Sequence, residues 1–163
     1  MTSIPSEPCP VARSASIVGD RWALLIVRDA FDGVRRFSDF QRRLGVARNI
    51  LSDRLRRLVD AGILALQPGS NGGAHQEYVL TEQGKSLFPV VVALRQWGER
   101  YLFGPHEPHS ELIEKSTGAP VPFMAPHGHG GGVLAPADTE VRKLQAEKRV
   151  PPEAPPPARK PVR

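Results

Sequence analysis

Apolar residues recur at helical spacing along about the first hundred positions and then lose their period. The spacing predicts a first helix from Pro10, a favoured first helical position, to about Gly19. Asp20 can cap a second helix over Arg21 to Phe31, with Trp22, Leu25, Ile26 and Ala30 on one face. Asp32-Gly33 ends it. Ser38-Asp39-Phe40-Gln41 reads as a capping box that opens a short helix stopping at Gly45. A tight connection, Gly45-Val46-Ala47, leads into a helix from about Arg48 to Ala61. Leu51, Leu55 and Leu58 form its inner stripe and Gly62 terminates it. Two helices joined by a short glycine-containing turn make a helix-turn-helix pattern.

Two extended runs follow, Ile63 to Gln67 and Gln76 to Leu80. The turn formers Pro-Gly-Ser-Asn-Gly-Gly-Ala-His between them predict a β-hairpin with a loose tip, a wing. Thr81 then caps a long helix expected over Glu82 to about Leu102. Leu87, Val90, Leu94, Trp97 and Tyr101 repeat along it at a and d spacing. Pro89 inside that helix should kink it or loosen its first turns. The predicted fold class is mainly α with a small β-hairpin wing, a winged helix-turn-helix.

Twelve of the seventeen prolines lie beyond Gly104, which places a boundary near Gly104-Pro105. The expected organisation is a flexible segment 1–8, a folded domain 9–103, an extension 104–149 and a Pro-rich, disordered tail 150–163. Val121 to Met124 and Gly132 to Leu134 are strand-like pieces of the extension, read as a partial hairpin or an arm.

Charge sharpens this picture. The net charge is +5, and it is concentrated: from Arg35 to Arg57 there are eight arginines against Asp39 and Asp53. The guanidinium fork suits phosphate and guanine better than an ammonium does. After Phe103 the chain is nearly balanced, with eight Lys or Arg and seven Asp or Glu. The single cysteine, Cys9, rules out a disulfide within the chain and fits a reducing compartment. The first residues lack the charged and apolar regions of a signal peptide. The most apolar stretches, Trp22 to Val27 and Leu87 to Leu94, are too short to span a bilayer. No Ser-His-Asp set, phosphate-binding glycine loop or carboxylate pair points to catalysis. The expected location is the cytoplasm, associated with the nucleoid.

The arginine-rich helix suggests how DNA could be read. At 100° per residue, Leu55 and Leu58 fall beside Leu51, and Asn49, Ser52, Asp53 and Arg56 fall opposite. Arg pairs bidentately with guanine and Asn with adenine, each worth ~1–3 kcal/mol of discrimination. Arg48 at the helix start suits a base edge or a phosphate, and Arg57 on the flank suits phosphate. Arg35 and Arg36, before the first helix of the pair, could clamp the backbone, and Ser38 opens that helix. The wing residues Ser70, Asn71 and His75 could enter a minor groove or touch phosphates. Asp53 would be repelled by DNA unless it accepts from cytosine or pairs with Arg; an i+4 pair with Arg57 is expected.

The ordered motifs Cys-Pro, Gly-Asp-Arg-Trp, Arg-Phe-Ser-Asp-Phe, Leu-Ser-Asp-Arg-Leu, Tyr-Val-Leu-Thr-Glu-Gln-Gly and a late Trp-Gly resemble the HxlR-type family of winged-helix regulators, relatives of MarR-type regulators. The resemblance runs from Cys9 to about Tyr101. It implies a transcriptional regulator, a repressor by expectation, that binds a pseudo-palindromic duplex operator as a homodimer. It also implies that the first helix and the long helix form the two-fold interface, with Val11, Leu87, Val90, Leu94, Trp97 and Tyr101 as candidates. Ala47-Arg48 stands where the family often has Ser-Pro, and losing that Ser cap should cost about 1 kcal/mol. The C-terminal cysteines of longer members are missing, so no zinc site is expected.

Cys9 matches the cysteine that some members use to sense oxidants, and it stands just before a helix N-terminus. A small-molecule effector between the helices and a chain without any effector remain alternatives. His127-Gly-His129, His106 and His109 lie in a flexible, glycine-rich stretch and read as polar linker; neither metal nor cofactor is expected. A winged-helix module that binds proteins without specific DNA binding is the competing function class.

Overall fold

The computed structural model describes residues 8–69 and 75–144. The chain packs as two compact units, one extending to Met124 and the other starting at Ala125.

The first unit opens with four helices. α1 (Pro10–Val18) starts on Cys9, with Pro10 in its first turn. α2 (Arg21–Phe31) starts where the sequence places it, because Asp20 accepts from the Trp22 and Ala23 amides. α3 (Phe37–Leu44) ends at Gly45, whose φ of 60° is the left-handed conformation that suits glycine. α4 (Arg48–Asp60) follows after the three residues Gly45-Val46-Ala47, and its N-cap, Ala47, offers no side-chain cap.

Ser38 does not cap α3, contrary to the capping-box expectation. Arg36 is the N-cap, its carbonyl accepts from the Asp39 and Phe40 amides, and Ser38 lies exposed inside the first turn. The earlier start keeps Phe37 against the core while Phe40 is fully buried. Packing of the two rings sets the boundary.

β1 (Leu64–Pro68) and β2 (Gln76–Leu80) form the antiparallel hairpin, in register Leu64 opposite Leu80 and Pro68 opposite Gln76. β1 begins one residue later than predicted. The Gly69 amide donates to the His75 carbonyl and closes the strand ends. The Tyr78 amide donates to the Arg35 carbonyl, so the stretch before α3 lies along the outer edge of β2.

The single long helix expected over Glu82 to Leu102 is two helices. α5 (Glu82–Lys85) is capped by Thr81, whose hydroxyl accepts from the Gly84 amide and donates to the Gly62 carbonyl. α6 (Phe88–Tyr101) begins afresh, with Pro89 in its first turn. Proline lacks an amide hydrogen and its ring collides with the carbonyl four residues earlier, so it is accommodated only at a new helix start.

One core holds these elements. Ile26 and Val27 from α2, Phe40 from α3, and Leu51, Leu55 and Leu58 from α4 meet Ile63 and Leu64 of the hairpin. Each such side chain contributes roughly 1.5–3 kcal/mol through removal from water. Asp29 is fully buried among them; its Oδ1 accepts from Arg28 Nε and Nη2, and Oδ2 has no hydrogen-bond partner among the described residues.

Residues 103–124 return along α6. Arg95 Nη1 donates to the Ser110 carbonyl at 2.8 Å, and Gln96 donates to the Pro122 carbonyl and accepts from the Met124 amide. Val121 to Met124 is therefore no strand: the Gln96 amide takes the place of a strand partner, and Pro122 can donate nothing. The Val121 amide donates to the Leu112 carbonyl beside the isolated Ile113–Pro120 bridge, and the pairing goes no further along the segment among the described residues. In the second unit, Gly132 to Leu134 contributes a bridge between His127 and Val133, and Pro136–Asp138 forms one 3-10 turn.

Candidate nucleic-acid interface

α4 has two chemically distinct sides. Leu51, Leu55 and Leu58 are sealed in the core, while Arg48, Asn49, Ser52, Arg56 and Arg57 are exposed. The 3.6-residue period imposes this division. The leucines fix the azimuth of the helix and leave amide, hydroxyl and guanidinium groups facing outward. Arg48 lies over the Phe37 ring at 5.1 Å, which braces the start of α4 against α3.

Asp53, half-buried on α4, gathers three arginines. Its Oδ1 accepts from Arg56 Nη2 at 2.6 Å. Its Oδ2 accepts from Arg54 Nη1 at 2.5 Å and lies 3.1 Å from Arg57 Nε. The expected i+4 pair with Arg57 is present, and it is one of three. Arg54 reaches on to Asp20, the cap of α2, at 3.0 Å. Reading Arg54 as part of this hub was beyond the sequence, because nothing in a helical period says that a cap 34 positions away lies beside it.

The flanking candidates fall close by. Arg35 and Arg36 both face Glu77 of β2, at 3.8 and 3.7 Å. Glu77 is buried, a position hidden in the sequence by the hairpin's alternation. It ties the approach to α3 to the wing. His75 is exposed at the edge of the hairpin tip, whereas Ser70 and Asn71 lie outside the described residues.

α6 presents the apolar stripe foreseen for it. Val90, Leu94, Trp97 and Tyr101 are 44–61% exposed, and the rings of Trp97 and Tyr101 lie 5.8 Å apart. Leu87 is not part of this stripe. It precedes α6 and packs, half-buried, against the protomer's own core. Val11 on α1 is 76% exposed. A cavity of about 280 Å³ opens between α2 and α6, walled by Leu24, Leu25, Val91, Leu94 and Phe103.

Cys9 is exposed at the N-cap of α1. His109 packs against Phe103, and His127 contacts the Gly131 carbonyl. Among the described residues no group of His, Cys, Asp and Glu is arranged to hold a metal ion, and no helix is long and apolar enough to cross a membrane.

A helix pair with a left-handed glycine at the turn, a hairpin behind it and a polar face on the second helix define a winged helix-turn-helix transcriptional regulator. Residues 17–105 match the family described as HxlR-like helix-turn-helix, and the chain belongs to that family. An uncharacterized HTH-type transcriptional regulator of Mycobacterium tuberculosis, Rv3095, is 46% identical over 108 residues, 66% of this chain and 68% of the relative. Another such regulator, YdeP of Bacillus subtilis, is 31% identical over 58% of this chain and 75% of its own. Among solved structures, PA1607, described as a candidate transcription factor, superposes with a TM-score of 0.82 at 49% identity, covering 85% of this chain and 97% of that one. The redox regulator HypR in its reduced form superposes with a TM-score of 0.52 at 30% identity, covering 56% and 92%.

Proposed function

We propose that this chain binds duplex DNA sequence-specifically as a homodimer and represses transcription at the sites it occupies. α4 enters the major groove, and the hairpin tip rests on the adjacent backbone or minor groove. The observation that carries this reading is the split of α4, with Leu51, Leu55 and Leu58 buried and Asn49, Ser52 and Arg56 exposed on the other side. Arg48, Arg57, Arg35 and Arg36 surround that side with positive charge for phosphates. Repression needs only occupancy of a promoter, which a reader of this size can provide.

The dimer is supported by α6. A stripe of Val90, Leu94, Trp97 and Tyr101, together with Val11, is more apolar surface than an isolated small domain usually leaves in water. A second copy would cover it and set two α4 helices about one turn of DNA apart, on a pseudo-palindromic operator. In this arrangement residues 9–103 form the DNA-binding and dimerisation domain.

Selection of bound fragments from genomic DNA tests the proposal. A recurrent two-fold site is the expected result; recovery of fragments with no shared sequence contradicts it and favours a protein-binding module.

A second reading concerns control. Cys9 is exposed, and HypR, which shares the fold, is named a redox regulator. An oxidant acting through Cys9 is one effector; a small apolar molecule in the cavity between α2 and α6 is the other. Loss of oxidant-sensitive DNA binding in Cys9→Ser supports the first, and unchanged sensitivity removes it.

A further inference from the structure

We infer that Asp53 is a specificity-determining residue of α4, one that lets Arg56 read a base while discouraging its use on phosphates. The inference rests on the proposal that α4 reads DNA.

The geometry is a carboxylate anchored from behind and loaded from in front. Behind it, Arg54 is largely covered and spans Asp53 Oδ2 at 2.5 Å and Asp20 Oδ1 at 3.0 Å. Asp20 is itself fixed, because the same oxygen accepts from the Trp22 and Ala23 amides. In front, the side chains of Arg56 and Arg57 are 70% and 55% exposed and both fasten to Asp53, at 2.6 and 3.1 Å. Asp53 therefore stands in a chain of contacts from the N-terminus of α2 to the outer surface of α4.

Two consequences follow from chemistry. A guanidinium has five N–H donors, and Asp53 engages one of Arg56's, so an edge remains for the two acceptors of guanine. An ordered arginine loses less side-chain freedom on binding than a loose one. Phosphate is treated differently. A carboxylate held against Arg56 offsets part of its charge and repels a phosphate approaching it. Sites that offer only a backbone are penalised, and sites that offer a correctly placed base are not. Selectivity is gained by weakening the wrong complex as well as by strengthening the right one.

The experiment compares the wild type, Asp53→Asn, Arg56→Ala and the double variant, each binding its selected operator and a scrambled duplex across a salt series. For Asp53→Asn, scrambled-duplex affinity should rise about tenfold at low salt, with a salt dependence steeper by about one unit. The ratio of operator to scrambled affinity should fall about tenfold or more, and this fall should shrink in the Arg56→Ala background. Asp53→Glu retains the charge and should restore the shallower salt dependence, which a merely structural role does not predict. It also serves as the test should Asp53→Asn fail to fold: unchanged selectivity and salt dependence support the inference, and the two together lost while the chain stays folded oppose it. A folded Asp53→Asn with wild-type ratio and slope overturns the inference alone. A wild type with no preferred duplex overturns the proposal for α4 and this inference with it.

Discussion

Arg54 Nε donates to Asp20 Oδ1 at 3.0 Å, so the residue that caps α2 is also held by α4. Asp20→Ala removes that pair and two amide caps together. The caps dominate, since the ion pair is partly exposed and water screens it. The expected loss is about 1–2 kcal/mol, read by urea denaturation. A loss below a few tenths would show that α2 needs no cap.

Leu55 and Asn49 sit on opposite sides of α4 and should separate folding from recognition. Leu55→Ala empties a fully buried position and should cost about 2–5 kcal/mol. Asn49 is exposed, and Asn49→Ala should change stability by less than about 0.5 kcal/mol. Equal losses in the two variants would contradict the assignment of faces.

Gly84 leaves no room for a side chain. A Cβ there would meet the Ile63 carbonyl oxygen and approach Leu80 Cδ2 within 3.0 Å. Gly84→Ala should destabilise the chain by about 1–3 kcal/mol through overpacking, and thermal unfolding would report it. A neutral result would mean that α5 can shift away from the hairpin.

The exposed stripe on α6 predicts a dimer that charge can break. Trp97→Glu and Leu94→Glu place a carboxylate in the proposed seam and should give monomers in sedimentation equilibrium while keeping the helical circular dichroism. A wild-type chain that sediments as a monomer at all concentrations would remove the dimer from the account.

Much of the fold was legible because local chemistry and burial agree. Asp20 and Thr81 cap where their side chains can accept from nearby amides, and Gly45 ends α3 where a left-handed residue is required. The misreadings have tertiary causes. Ser38 yields the cap position to Arg36 because Phe37 and Phe40 decide where the helix begins. The break before Phe88 follows from Pro89, whose presence predicts a disturbance but not whether the helix bends or restarts. The outer face of α4 was legible from its period. The hub at Asp53 was legible only for Arg57, since the i+4 rule says nothing of Asp20. Glu77 beneath Arg35 and Arg36 was hidden, because hairpin alternation cannot tell which charged residue is covered.

The central claim is that the exposed side of α4 reads base pairs. Fluorescence anisotropy with the selected operator tests it most directly, using Asn49→Ala and Arg56→Ala beside the wild type over a salt series. Each variant should lose about 5- to 150-fold in operator affinity, equivalent to about 1–3 kcal/mol per base contact. Asn49→Ala should keep its affinity for a scrambled duplex and the wild-type salt slope, because an uncharged contact releases no counterion. Operator binding undiminished in both variants would contradict the account.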